Sequence, residues 1–324
     1  MKKAIIVGMT ALLIHILLPV CLLVPLVQSQ AETVVLVVEE PEEEKEEEPN
    51  IVLGTEQGSL ELNLEEYLVG VVLSEMPGSF ELEALKAQAV AARTFALRQM
   101  EQGKHENIDL CTQSTCCQAW CSVDAWREKL GEAADLYLRR GEQAVQETAG
   151  LVLCYDGKLI DAVYFSCSGG TTEDAIAVWG SEVPYLQSVP SLGEENASKY
   201  QSVVYVTTSD FQNRMLKENS HVDLTGSPTS WIGNVSLTEG GGVASVVIGG
   251  QVFAGTQLRR IFDLNSTKFS VNVQEDGITF YVKGYGHRVG MSQYGANAMA
   301  KAGKTFQEIL MYYYTDVNLQ TKRP

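Results

Sequence analysis

Hydrophobic residues along the chain fall into three patterns. The first is an unbroken apolar run from Ala4 to Val27, preceded by Lys2 and Lys3 and free of formal charge. The second is helical: Leu64 to Leu73, Glu81 to Met100, and Val123 to Ala149, the last interrupted at Gly131 and Gly141. The third is strand-like. Ile51 to Leu53 and Leu60 to Leu62 flank a Glu-Gln-Gly-Ser turn, and Leu151 to Tyr155 and Leu159 to Phe165 flank Asp156-Gly157, a strong hairpin signal. Residues 200–283 are mostly strand-like, at Ser202 to Thr207, Val243 to Ile248 and Thr279 to Lys283, with helices at Asp210 to Glu218 and Gly255 to Phe262. Helix returns at Met291 to Ala302 and Thr305 to Tyr314. This mixed order lacks βαβ periodicity and predicts an α+β fold of mixed helices and antiparallel strands. It forms a single large domain, as one body or as two lobes around a groove.

The first run is long enough to span a bilayer, and Lys2 and Lys3 favour a short cytoplasmic N-terminus. A cleaved signal peptide ending near Val27-Gln28-Ser29 is the alternative. Cys21 follows Pro19-Val20 and lacks the small residue expected before a lipidated cysteine. The preferred organisation is a cytoplasmic 1–3, a transmembrane anchor over 4–27, an acidic linker over 28–50, an ectodomain over 51–318 and a tail over 319–324. Its location is then the cell membrane, single-pass, with the ectodomain on the extracytoplasmic side. The linker owes its character to Glu39–Glu48, which holds eight glutamates and one lysine, with Pro41 and Pro49 at its ends. Like charges and prolines make it an extended, solvated spacer. The whole chain carries a formal −17, which argues against nucleic acid or anionic lipid as the main partner. An anionic polymer would have to be held by local cations such as Lys86, Arg93 and Arg288.

Candidate chemistry begins at Ser74-Glu75-Met76-Pro77-Gly78, where a carboxylate ends one helix just before a Pro-Gly break. The next helix is packed with small residues and carries Lys86, Gln88 and Arg93, polar groups that need partners or a job once buried. A carboxyl held beside such a helix can have its pKa raised into the range of a general acid. The competing reading is a capping or surface glutamate. A second cluster reads His105, Cys111, Cys116, Cys117, Cys121. Thiolates and imidazole this close can wrap one tetrahedral zinc, and no HExxH helix accompanies them, so a structural site is expected over a hydrolytic one. One or two local disulfides plus a spare thiol is the alternative. A third segment, Gly284 to Ala296, puts four glycines among His287, Ser292, Gln293 and Tyr294 where a helix begins. It suits a hydroxyl-rich ligand such as a sugar, or is a strand-to-helix turn whose polar residues cap the helix. The loop Ser166 to Thr172 lacks the Gly-Lys-Ser/Thr ending of a phosphate cradle.

Several segments together resemble the stage II sporulation protein D / amidase-enhancer family of bacterial cell-wall proteins. They are Leu73 to Pro77, Leu85 to Thr94, Cys167 to Gly170, Leu264 to Phe269 and Gly284 to Ala296. The resemblance spans roughly 51–318. It implies a peptidoglycan lytic transglycosylase that cleaves the bond between N-acetylmuramic acid and N-acetylglucosamine in strands stripped of stem peptides, in engulfment of the forespore. Glu75 takes the place of the catalytic acid/base. Arg93 matches the family arginine, which would hold Glu75 or a lactyl carboxylate. Lys86, Gln88, Tyr164, Ser166, His287 and Gln293 become the expected sugar contacts. The resemblance also implies a cell-wall amidase and a multi-spanning membrane protein as partners. Zinc carries over in part, with His105, Cys111 and Cys117 at family positions and Cys116 where a second histidine stands in relatives. Arg288 stands where the family loop often has glycine, adding charge near the expected groove. Two other functions remain beside this one. A non-catalytic glycan binder that stimulates an amidase is disfavoured by the retained Glu75, and a zinc hydrolase by a cluster with little room for an open position.

Overall fold

The structure, a computed structural model, describes residues 50–322. The expected anchor over 4–27 and the linker up to residue 49 lie outside them. Among the described residues no helix is long and apolar enough to cross a membrane. The fold is α+β, as the mixed order of elements predicts, and its residues gather around two hydrophobic cores.

The first core is built on helices. Asn63 caps α1 (Leu64–Glu75) by accepting from the Glu65 N–H, and the helix ends where Met76 turns extended ahead of Pro77. After that break comes α2 (Leu82–Gln102), closed by Gly103 in the left-handed conformation. Ala84, Ala87, Ala89, Ala91, Ala92 and Ala96 are all fully buried. Their small side chains let α2 serve as a hub against α1, three later helices and the strand Leu151–Tyr155. The predicted helix over 123–149 is two helices, α3 (Val123–Leu130) and α4 (Ala134–Gln146), joined by a 3-10 turn at Gly131–Ala133. Gly141 does not break α4. It sits against Leu73 of α1, where a Cβ would come within 3.1 Å of the Leu73 side chain, so the glycine marks helix packing.

Short strands complete this half. Asn50–Thr55 pairs antiparallel with Gly58–Asn63 and parallel with Leu110–Cys111. The predicted hairpin forms between Leu151–Tyr155 and Lys158–Leu159, its turn held by positive φ at Asp156 and Gly157. The expected second strand over 159–165 is interrupted, and Tyr164–Phe165 pairs instead with Met291–Ser292, in parallel. Residues placed in a tail from 319 onward belong to the fold: Asn318–Thr321 is a strand against Leu151–Cys154. A short helix, α5 (Ala175–Trp179), lies between these parts.

The second core is residues 200–283. A three-stranded antiparallel sheet, in the order Phe269–Val273, Gly277–Lys283, Gln201–Thr207, packs one face against α6 (Thr208–Glu218), and Ile232–Leu237, Val243–Ile248 and Gln251–Ala254 form a second antiparallel sheet beside α7 (Gly255–Ile261). In its centre Phe211 stacks on Phe262 at 5.1 Å, and Phe280 packs tilted against Phe262 at 5.0 Å. The chain then returns to the first core through α8 (Gln293–Lys301) and α9 (Phe306–Tyr313).

Arg288 ties the two cores together. It is fully buried with positive φ, which explains why a glycine suits this position. Its guanidinium donates to Glu173 Oε1 at 2.8 Å and to the carbonyls of Ser168, Thr171 and Gly240. The expected free charge near a groove is therefore absent, because Glu173 neutralises it in the interior.

Candidate active site

Glu75 is the last residue of α1, and the chain break after it leaves its carboxylate facing two other segments. Oε1 accepts the backbone N–H of Ala119 at 3.0 Å, and Oε2 accepts from Gln293 Nε2 at 3.3 Å. Glu75 is half-buried, and burial raises its pKa from the ordinary carboxylate value while those two donors pull it down. The net direction is upward. A carboxyl in this position keeps its proton to higher pH than a surface glutamate, yet has partners ready for its anion.

The surroundings are polar and closely linked. Gln118 accepts from Tyr67 Oη at 3.0 Å and donates to Tyr164 Oη at 2.7 Å. Both phenols lie close enough to Glu75 for its charge to act on them, and burial first, then charge, holds them protonated. Gln88 is fully buried on α2, accepts from Gln293 at 3.5 Å, and leaves its Nε2 without a partner among the described residues. A buried side-chain donor of this kind normally has a partner.

Gln293 is held in place from behind. Ser292 caps α8, and its Oγ also donates to Glu194 Oε1 at 2.5 Å. Buried Glu194 accepts further from the Ser168 N–H and hydroxyl, the Gly169 N–H and the Ser191 hydroxyl. Two residues after Gln293, a Cβ at Gly295 would meet Tyr313 Oη at 2.1 Å and Ser191 Oγ at 2.2 Å, so only glycine lets α8 start this close.

Of the residues expected from sequence, Glu75, Gln88, Gln293 and Tyr164 come together. The others do not touch the carboxylate. Arg93 is a correction: its guanidinium makes a two-point pair with Glu65, at 2.7 and 2.5 Å, and donates to the carbonyls of Leu151 and Val145. It braces α1, α2 and α4 from inside. Lys86 is bound to Glu83 and Glu147. Neither they nor Arg288 is the free cation expected for an anionic polymer. His287 sits between the rings of Phe165 and Trp179, with Nδ1 accepting from the Val289 N–H and a further hydrogen bond to the Tyr164 backbone. Burial and Arg259 push it down to about 4, so it is neutral near pH 7. Ser166 uses its carbonyl to receive the Tyr294 N–H at 3.0 Å. Sequence reasoning missed Tyr67, Gln118, Ala119 and Glu194. Only the place of Gln118 and Ala119 directly after Cys116-Cys117 could have flagged them.

The cysteine cluster adjoins this site through that same loop. The ligand atoms of His105, Cys111, Cys116 and Cys117 lie within 4.8 Å of one another, with His105 Nε2 3.3 Å from Cys117 Sγ. All six described cysteines are free thiols, and Cys121 stands outside the group of four. Burial and the neighbouring Cys111 push the Cys117 thiol up to about 12. One imidazole and three thiols in this arrangement fit a tetrahedral zinc.

Residues 54–155 match the family model described as Stage II sporulation protein. The chain is 41% identical over 258 residues to Stage II sporulation protein D of Bacillus subtilis (strain 168), covering 78% of this chain and 72% of that protein. It is 38% identical to the protein of the same name from Bacillus amyloliquefaciens, over 82% of this chain and 76% of that one. It is 29% identical to a Bacillus subtilis protein named Amidase enhancer, of which it covers 40%. With the residues of all five family segments in place around one fold, the chain belongs to the stage II sporulation protein D / amidase-enhancer family.

Proposed function

We propose that the protein is a lytic transglycosylase of peptidoglycan, acting during sporulation on glycan strands freed of their stem peptides. The observation that carries this reading is Glu75: one half-buried carboxyl with a raised pKa, two donors for its anion and an unpartnered amide beside it. The chemistry needs one group in two protonation states. Protonated Glu75 gives its proton to the glycosidic oxygen as the bond from that oxygen to C1 of muramic acid breaks, its electrons leaving with the oxygen. The Glu75 carboxylate then takes the proton of the C6 hydroxyl, and O6 bonds to C1, closing an anhydro ring. No water is consumed and the glutamate ends protonated again. The route needs no second carboxylate, whereas ordinary glycosidases use a pair. Tyr67 and Tyr164 stay neutral and serve as hydrogen-bonding walls, and Gln88 and Gln293 orient the sugar.

Zinc belongs to this reading as a structural ion, held by His105, Cys111, Cys116 and Cys117. It would tie down the loop whose next two residues are Gln118 and Ala119. A cell-wall amidase that exposes the stripped strands is the partner this substrate calls for, and a multi-spanning membrane protein of the engulfment machinery is the expected membrane partner. The single-pass anchor keeps the site on the outer side of the membrane.

The test is release of soluble fragments from amidase-treated glycan strands by the full chain and by its Glu75→Gln variant, alongside pull-down of intact strands by both. Release by the wild type alone, with strand binding kept by the variant, supports the enzyme. Equal binding and no release by either makes the protein a glycan-binding enhancer.

A further inference from the structure

The chain carries −17, yet Lys268 and Lys283 of the second core make no direct ion pair among the described residues. Lys268 and Lys283 face each other across neighbouring strands, joined by the hydrogen bond from the Lys283 N–H to the Lys268 carbonyl. Neither ammonium has an ion pair or hydrogen bond among the described residues, while Lys86, Arg93 and Arg288 are all paired internally. Lys268 is half-buried. Burial, then Arg288 and Lys283, holds its ammonium below the ordinary lysine range, against a smaller opposing pull from Glu173 and Glu194.

Both lysines line a groove of about 320 Å³ on the open face of the three-stranded sheet, with Gln201, Val203, Ser270 and Tyr281. The strand register explains this composition. Tyr281 pairs with Val203 on one side and Ser270 on the other, so all three share the face opposite the buried Phe280 and Val282. Tyr281 and Val203 are 49% and 61% exposed, an apolar shelf next to two cations. Adjacent like charges on a half-buried surface repel unless an anion sits between them. A simple anion would leave the tyrosine and valine bare. A ring with one apolar face, hydroxyls at its rim and a single carboxylate covers all of it.

We propose that this groove is a second glycan subsite, separate from Glu75, that takes a sugar acid: Lys268 and Lys283 bind its carboxylate and Tyr281 stacks on its ring. The proposal rests on the glycan reading above, since peptide-stripped muramic acid bears a free lactyl carboxylate. The subsite would select stripped strands, because a stem peptide converts that carboxylate into an amide.

The experiment uses the full chain carrying Glu75→Gln, so that strands stay whole. Its affinity is measured for peptide-stripped strands and for the same strands with their carboxyl groups converted to methylamides. Lys268→Gln/Lys283→Gln should weaken binding to stripped strands about tenfold and leave binding to amidated strands unchanged. Tyr281→Ala should weaken both. All variants should unfold at the parent's temperature, since the groove is open to solvent. Unchanged affinity in the double variant, equal losses on both strands, or equal competition by inorganic polyphosphate would each overturn the sugar-acid subsite. Cleavage is not read here, so failure of the Glu75 mechanism would leave this outcome intact.

Discussion

At the scale of single residues, the account turns on carboxylates given different work by their neighbours. Glu75 keeps a raised pKa because burial outweighs two donors. Its folded-state value lies above the unfolded one, so its contribution to stability is fully present below the unfolded pKa and is lost as pH rises through the folded value. Glu75→Gln should therefore abolish cleavage and also raise the unfolding temperature near pH 7, because the amide has no buried charge to desolvate. The wild-type cleavage rate should fall as pH rises through that same raised pKa, where the acid is lost. A rate that climbs steadily through the window would remove Glu75 as the acid. Glu65 does the opposite work by neutralising buried Arg93, so Glu65→Ala should cost ~3–5 kcal/mol in denaturant unfolding by leaving an unpaired interior cation. The two residues also differ in legibility. Glu75 stood out because a Pro-Gly break isolates it in sequence. Arg93 is expected beside it only because it matches the family arginine of a separate motif, while its partner in the structure, Glu65, is 28 residues upstream with no local signal.

At the scale of elements, the helices were readable where small or apolar runs meet a cap, as at Asn63 and Gly103, and less so where glycine has a packing role, as at Gly141. Strand pairing of two-residue segments was not readable, because Tyr164–Phe165 finds Met291–Ser292 only after the second core intervenes. The loop over 104–121 joins the thiol cluster to the active site within two residues, from Cys117 to Ala119. Removing zinc with a chelator, or Cys117→Ser, should lower the unfolding temperature and slow cleavage together. Cys121→Ser should change neither, since it lies outside the four-atom group. Metal analysis of the purified chain checks the premise, and a stability indifferent to chelation would contradict it.

At the scale of the whole molecule, two cores meet through a loop, and the buried pair of Arg288 and Glu173 holds that joint. Arg288→Ala should destabilise by ~3–5 kcal/mol, measured by denaturant unfolding, because Glu173 would be left buried without its cation. The α+β class was legible from the order of elements, whereas the division into two cores was left open between one body and two lobes, because a strand-rich stretch does not say where its apolar faces pack. The joint was not, because an arginine in a glycine-rich loop reads as surface charge until its left-handed backbone and its partners are seen. The same blindness applied to charge balance. Sequence alone marked Lys86, Arg93 and Arg288 as the cations for an anionic polymer, whereas the fold pairs all three and leaves Lys268 and Lys283 open. The most direct test of the central claim is mass spectrometry of the strand ends left when the full chain acts on amidase-stripped peptidoglycan. Anhydromuramyl ends from the wild type and none from Glu75→Gln are the predicted result. Reducing ends would mean that water attacks C1, and would contradict a mechanism that runs on one carboxyl.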